Sequence, residues 1–319
     1  MQSSPNHKNR WGVILSGGDG IRLRALTRLL TGDDRPKQFC RLVGEETLLA
    51  QTRHRVARII RPDRTLFVMT KAHEPFYAAE LADVPPGRMV VQPANRGTLP
   101  AILLSLIRLV RLDRHAVVAF FPVDHYYAEE GKFVAEVGSA FASAETTSRV
   151  ILLGASPTTP EIEYGWIEPE TTADPRLMRV RRFWEKPSYE VAQTLLDQGC
   201  LWNTFVMVGR ANAFLELIQS AEPGLYETFH TAIVQCKGEM NPDLTKAVYE
   251  QIETADFSKR VLSGTTERLA VLSLGEIGWD DLGEPRRVGA ILSQGQSRKP
   301  VGCVAVSEVA SAATARLAF

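Results

Sequence analysis

Leu15 to Thr27 reads LSGGDGIRLRALT and follows directly on a short apolar strand, Trp11 to Leu15 (WGVIL). Glycines at 17, 18 and 20 let a backbone approach a ligand closely and turn its N–H groups toward an anion, and Arg22 adds a fixed charge with forked donors. The stretch reads in two ways, as a phosphate cradle or as a plain tight strand-to-helix turn. It is not a Walker A loop, because no Gly-Lys-Ser/Thr follows. It is not the dinucleotide fingerprint either, because Leu23 stands where the third glycine belongs.

Working outward, short β-branched or aromatic runs alternate with helix-period segments. Trp11 to Leu15, Thr65 to Thr70, Met89 to Gln92 and Ala116 to Phe121 read as strands. Leu48 to Ile60, His73 to Leu81, Leu99 to Leu112 and Lys132 to Ala144 read as helices. In the third of these, Ile102, Leu106 and Leu109 fall on one stripe. This alternation predicts a parallel α/β sheet. From Arg149 strands become denser (150–153, 164–167, 178–184 and 202–208), with helices near 191–197 and 214–220, and the spacing predicts a mixed extension of the sheet. A helical block over 222–257, a strand at 269–274 and an acidic glycine turn at 278–283 complete the pattern. No internal repeat is present in the sequence, and no hexapeptide period.

The bulk properties bound the function. With 319 residues, 45% of them hydrophobic, the chain can fill a substantial core. Lys plus Arg equals Asp plus Glu at 37 each, so the long-range positive field of a nucleic-acid binder is lacking. The four cysteines, at 40, 200, 236 and 303, form no CxxC pair, which argues against a zinc ribbon or a disulfide framework and for a reducing cytoplasm. No apolar run reaches membrane-spanning length, so neither a membrane nor a nucleic acid is expected as a partner. Self-assembly into a homo-oligomer is left open.

Other segments carry chemistry on their own residues. RPKQF, Arg35 to Phe39, puts Lys37 after a proline that stiffens the approach. Alone it is a surface charge; beside an anion-binding turn it would neutralise phosphate oxygens. FFPVDHYY, Phe120 to Tyr127, puts Asp124 at the carboxyl end of an apolar strand, where ligands of open α/β sheets bind. Asp124 is there either a cation ligand or a turn former. His125 is expected to be structural, since no serine or cysteine motif offers it a nucleophile. Thr98 is expected to cap the helix that it opens, and Trp166 and Trp184 to pack in the core.

Together, Gly17, Gly18, Gly20, Arg22, Leu23, Leu26 and Thr27 followed by Pro36, Lys37, Gln38 and Phe39 resemble the double motif of the sugar-1-phosphate nucleotidyltransferases, GGxGxRLxPLT and PKQF. The similarity is greatest to the mannose-1-phosphate guanylyltransferases. Ala25 stands in place of the usual proline, and LLTGDDR lengthens the connection to PKQF. The resemblance runs through about Gly283. It implies an α/β, Rossmann-like, mixed and mainly parallel sheet flanked by helices, of the nucleotide-diphospho-sugar transferase type. The catalytic domain would span 1–283, with a short helical tail at 284–319.

The resemblance also implies site residues. Ser16, Gly17, Gly18 and Gly20, with Gln92, Asn95, Gly97 and Thr98 from QPANRGTLPAI, would hold the nucleotide, although this chain reads Asn-Arg-Gly where the mannose enzymes more often read Gly-Arg-Asn. Tyr164, Gly165 and Glu168 of YGWIE, Glu185 of the EKP motif and Asn203 of LWNTFVMV would hold the sugar. One glycine of the last motif, WNSG-F in the family, has no evident counterpart. Asp124 and Asp281, the latter from GWDDLG, would hold Mg²⁺, with Asp280 a solvated neighbour. Arg22 and Lys37 would stabilise the leaving pyrophosphate and Lys186 would orient the attacking sugar phosphate. The implied reaction joins a nucleoside triphosphate, GTP by resemblance, to a sugar 1-phosphate, mannose 1-phosphate by resemblance. The alternatives are a non-catalytic paralogue that binds sugar nucleotide, and a glycosyltransferase. The second is disfavoured, because Val123 and His125 flank Asp124 where an Asp-x-Asp motif would be needed.

Overall fold

The computed structural model describes residues 7–170, 176–235 and 242–294. Its strands are β1 (Arg10–Leu15), β2 (Thr65–Thr70), β3 (Met89–Gln92), β4 (Val117–Pro122), β5 (Tyr126–Tyr127), β6 (Val150–Ala155), β7 (Gly165–Glu170), β8 (Leu177–Glu185), β9 (Leu201–Arg210), β10 (Leu269–Ser273) and β11 (Trp279–Asp280). Its α-helices are α1 (Arg24–Thr31), α2 (Leu48–Ala57), α3 (Glu74–Tyr77), α4 (Thr98–Leu112), α5 (Glu130–Ala144), α6 (Tyr189–Asp197), α7 (Ala211–Ala221), α8 (Pro223–Gln235), α9 (Pro242–Gln251), α10 (Phe257–Arg260) and α11 (Pro285–Gln294).

Nine strands form one sheet in the order β3-β2-β1-β4-β9-β6-β10-β8-β7. The pairings give seven of them a common direction, with β9 and β8 opposed. β3, β2, β1 and β4 form the wholly parallel part. At the other end β7 returns to pair with the start of β9, Trp166 opposite Trp202, so the sheet curls back on itself.

The central strands read as unbroken apolar runs because helices cover both faces, so successive side chains enter different cores. Val118 and Phe120 of β4 join one core with Leu99, Ile102, Leu106 and Leu109 of α4 and Phe214 of α7. Val117, Ala119 and Phe121 join the other with Phe133, Val137 and Phe141 of α5.

A third, smaller core joins Leu23 and Leu26 with Cys40, Leu42, Leu48 and Leu282, and with Val288 and Leu292 of α11. Ten residues are too few for a helix to persist in water alone. Burial of Val288 and Leu292, worth about 1.5–3 kcal/mol each, holds α11 against this core. The first part of the segment read as a tail is therefore packed here, while residues 295–319 lie outside the described residues.

Most strands fall where the periodicity predicts them. The helix expected over 73–81 is shortened to α3, preceded by a 3-10 turn at Lys71–His73. The block over 222–257 divides into α8, α9 and α10, with residues 236–241 outside the description. Helix α1 and the two-residue strands β5 and β11 were not anticipated; ribbons that short carry no readable period.

Candidate active site

The glycine turn after β1 is held from three sides. Ser16 N–H donates to the carbonyl of Val68 (2.9 Å), Thr70 Oγ1 donates to the carbonyl of Gly17 (2.9 Å), and Gln38 Nε2 donates to the carbonyls of Ser16 (3.0 Å) and Gly18 (2.7 Å). The carbonyls of Ser16, Gly17 and Gly18 are thereby occupied. The N–H groups of residues 17–20 take no partner among the described residues and belong to a stretch that lines a cavity of about 620 Å³. Free N–H groups beside a cavity make an anion site, so the cradle reading of the turn is the one that the geometry favours. Gly20 has φ +59°, and a methyl group on it would lie 3.1 Å from Lys37 N. The turn and RPKQF are thus packed backbone to backbone.

Two short strands bring the acids together. β11 pairs with β5, Trp279 opposite Tyr127 and Asp280 opposite Tyr126, which folds the GWDDLG turn onto the carboxyl end of β4, where Asp124 stands. Lys37 Nζ lies 2.7 Å from Asp124 Oδ2 and also donates to the carbonyls of Leu282 (3.1 Å) and Asp281 (3.3 Å). Burial alone would raise the Asp124 pKa, but Lys37 and, less strongly, His125 outweigh it and hold the carboxyl below its ordinary value. Burial drives His125 down to about 4, so it is neutral at physiological pH, and its Nδ1 contacts Tyr127 OH at 3.2 Å. His125 also lines the cavity beside Asp124.

Asp281 is gripped by the element that follows it. Its Oδ1 accepts from Gly283 N (2.8 Å), Arg287 Nη1 (2.7 Å) and Tyr164 OH (3.3 Å). Its side-chain hydrogen bonds among the described residues all fall on Oδ1, so Oδ2 is the oxygen left for a cation, with Arg22 Nη2 at 4.0 Å. Arg287 also pairs with Glu161 (2.7 Å) and hydrogen-bonds Tyr164 OH. Arg287 lies beyond the last motif and sequence reasoning missed it; the acidic turn just before an arginine-bearing helix was the only signal. Among the described residues no group of three or more His, Cys, Asp or Glu could hold a metal. Two carboxylates do fit Mg²⁺, which binds through one or two carboxylates and completes its shell with water and phosphate oxygens.

Of the residues singled out from sequence, Gly17, Gly18, Gly20, Arg22, Lys37, Gln92, Asn95, Gly97, Thr98, Asp124, Tyr164, Gly165, Glu185, Asn203 and Asp281 line this one cavity. Three do not. Ser16 is buried beneath the turn and contributes its backbone. Glu168 shares its strand face with Trp166, opposite Gly165, because side chains alternate along β7; it meets Trp184 Nε1 (3.4 Å) and Arg181 (3.5 Å) instead. Lys186, at φ +48°, stands outside the lining and reaches it through Glu163 Oε2 (3.3 Å), the same oxygen that Arg22 meets at 3.3 Å. Glu163, which lines the cavity, was another omission from the sequence reading.

One local reading is corrected. Thr98 is the first residue of α4 and not its cap, a place that Gly97 takes. Thr98 Oγ1 instead accepts from Phe257 N (2.8 Å) and donates to Asp256 Oδ2 (3.2 Å). Gly97 is required sterically, since it has φ +84° and a methyl group there would lie 2.4 Å from the carbonyl oxygen of Ala255. In LWNTFVMV, where one glycine of the family's motif has no evident counterpart, Phe205 adopts φ +59°, the left-handed conformation that favours glycine. Trp166 is fully buried and Trp184 partly so, as expected of packing residues.

The sugar-side groups keep hydrogen-bonding capacity to spare. Asn203 Oδ1 accepts from Phe205 N (3.1 Å), which leaves Nδ2 as a donor. The Glu185 carboxylate accepts no hydrogen bond from the described residues. Its burial and then Asp256 push its carboxyl up to about 7, against the opposing pull of Lys186 and Lys259. On the nucleotide side, Gln92 Oε1 accepts from Tyr249 OH (3.0 Å), which leaves its amide N–H₂ as donor.

Comparison with known proteins bears on the family and the fold. The family model described as nucleotidyl transferase matches residues 11–293. The xanthan biosynthesis protein XanB of Xanthomonas campestris pv. campestris is 31% identical over 278 residues, which cover 85% of this chain and 57% of XanB. Mannose-1-phosphate guanylyltransferase of Salmonella muenchen is 26% identical over 281 residues, 85% of this chain and 57% of that protein. The chain thus spans little more than half the length of the curated relatives it matches. A crystal structure described as mannose-1-phosphate geranyltransferase from Thermus thermophilus superposes with a TM-score of 0.76 at 27% identity, covering 92% of this chain and 80% of that one.

Proposed function

The chain belongs to the nucleotidyl transferase family, and on that premise we propose that it transfers a nucleotidyl group from GTP to mannose 1-phosphate, with Mg²⁺, forming the nucleotide sugar and releasing pyrophosphate. The observation that carries the reading is the Lys37 ammonium. It joins the Asp124 carboxylate to the carbonyls of Asp281 and Leu282 at the wall of a cavity that the glycine turn also lines.

The reaction needs no protein nucleophile, because a phosphate oxygen of the sugar substrate attacks the α-phosphorus in line with the departing pyrophosphate. Alignment and positive charge are what the protein must supply. The free N–H groups of 17–20 and Arg22 grip the triphosphate tail, and Lys37 carries charge to the same place. Asp124 and Asp281 would hold Mg²⁺, whose charge would neutralise phosphate oxygens. Glu163 holds Lys186 and Arg22 at the rim, from which Lys186 turns to the sugar phosphate. Asn203 Nδ2 as donor and Glu185 as acceptor suit sugar hydroxyls, and a donor amide at Gln92 suits a keto oxygen of the base.

Support for mannose and guanine comes from the motif resemblance and from the name of the Salmonella relative. Cys40 and Cys200, buried and free, suit a reducing cytoplasm. Among the described residues, no helix is long and apolar enough to cross a membrane. The test is pyrophosphate release by purified protein with Mg²⁺ across a panel of nucleoside triphosphates and sugar 1-phosphates. GTP with mannose 1-phosphate should give the highest kcat/KM. Binding of the nucleotide sugar with no turnover on any pair would favour the non-catalytic reading instead.

A further inference from the structure

Phe205 is a bulky residue in a backbone conformation suited to glycine. It sits in β9 at φ +59°, where the pairing with β6 shifts register between Leu152 and Gly154. Left-handed backbone is disfavoured for any side chain with a Cβ, and for a bulky residue it is an outlier. The neighbours hold it there. Asn203 Oδ1 accepts from Phe205 N (3.1 Å), while Thr204 Oγ1 donates to the carbonyl of Leu153 (2.7 Å) and accepts from Val206 N (3.3 Å). Glycine would fit this bulge without strain, so an aromatic ring here points to a use for the side chain.

Its place in the cavity wall points to that use. Phe205 lines the cavity and meets the ring of Phe257 edge-on at 6.3 Å. Phe257 N is bound by Thr98 on the nucleotide side. The backbone N–H of Phe205 is tied to Asn203. A methyl group on Gly165 would lie 3.3 Å from Asn203 Cβ and 3.0 Å from Glu185 Oε2, so these three form one patch. Phe205 therefore lines the same cavity as this patch, which offers one free donor and one free acceptor. An aromatic face packs against the C–H face of a pyranose while the polar pair meets its hydroxyls. Space that the side chain at 205 fills in this wall is closed to a bulky substituent in place of a hydroxyl.

We infer that Phe205 sets sugar selection, restricting the acceptor to hexose 1-phosphates with unsubstituted hydroxyls and excluding N-acetylated ones. This rests on the reading of the cavity as a sugar-1-phosphate nucleotidyltransferase site. The test compares wild type, F205G and F205A in pyrophosphate release with mannose 1-phosphate, glucose 1-phosphate and N-acetylglucosamine 1-phosphate, alongside thermal melting. Wild type should prefer the unsubstituted sugars. Both variants should shift the kcat/KM ratio toward the N-acetylated sugar by about tenfold or more. F205G should melt above F205A, because glycine alone relieves the left-handed strain.

An active wild type with folded variants whose ratio stays within about threefold of it overturns the inference and leaves the reaction standing. So does a wild type that prefers the N-acetylated sugar. Variants that both fail to fold make the ring a structural prop and also overturn it. A wild type inert on every pair removes the reaction itself, and the inference with it.

Discussion

Lys37 Nζ lies 2.7 Å from Asp124 Oδ2, so the lysine that follows the glycine turn is the counter-charge of the acid at the end of β4. Breaking a fully buried ion pair from one side costs about 3–5 kcal/mol. Asp124 still faces the cavity, with 29% of its side chain exposed, so Lys37→Ala should destabilise the fold by less, about 1–3 kcal/mol in denaturant unfolding. Turnover should fall about two to three decades. Unchanged stability would mean that water replaces the ammonium freely.

Arg22 and Lys186 are each about half exposed and share the Glu163 carboxylate. Neither fills a core, so Arg22→Ala and Lys186→Ala should melt within a few degrees of wild type. Each should lose about two to three decades of kcat, the usual effect of removing one charge-stabilising donor. Near wild-type turnover in either variant would remove that residue from the reaction.

Arg287 is a positioning residue, since it acts through Asp281 and Tyr164. Arg287→Ala should loosen the Asp281 carboxylate and raise the Mg²⁺ concentration needed for half-maximal rate by more than it lowers the rate at saturating Mg²⁺. A merely structural role would lower both stability and rate with no change in the metal titration. Arg287→Lys should recover only part of the effect, because an ammonium lacks the forked donors that reach Asp281 and Glu161 together.

Glu185 titrates near neutrality, with burial and Asp256 raising its carboxyl from 4.5 to about 7. Below pH 4.5 both folded and unfolded chains are protonated there and the group costs nothing. Between 4.5 and about 7 the unfolded chain ionises first, so stability falls as pH rises, and above that the loss is constant. Glu185→Gln should therefore be stabilised relative to wild type at pH 8 but not at pH 4, by chemical denaturation. As the carboxylate is the better hydroxyl acceptor, wild-type kcat/KM should rise through about pH 7, and the variant should lose that limb.

Gly97→Ala should destabilise by several kcal/mol or prevent folding, since both the φ of +84° and the carbonyl of Ala255 at 2.4 Å oppose a methyl group. Thermal melting reads this directly. A well-folded variant would show that residues 97 and 255 can separate at little cost.

What the sequence by itself determined lies in contiguous residues. The alternating runs located the strands, because a strand buried on both faces must be apolar throughout. The spacing of Gly17, Gly18, Gly20 and Arg22 left a phosphate cradle and a tight turn both open, because glycine backbone serves either. Only the tertiary structure decided which distant groups share a charge. It was the β5–β11 ribbon that laid Asp281 beside Lys37 and Asp124, and the burial of Val288 and Leu292 that delivered Arg287. The alternation of β7 turned Glu168 away, and the bulge in β9 gave Phe205 a conformation suited to glycine. Ion pairs between remote segments depend on distances set by packing, and a chain read in order contains no distances.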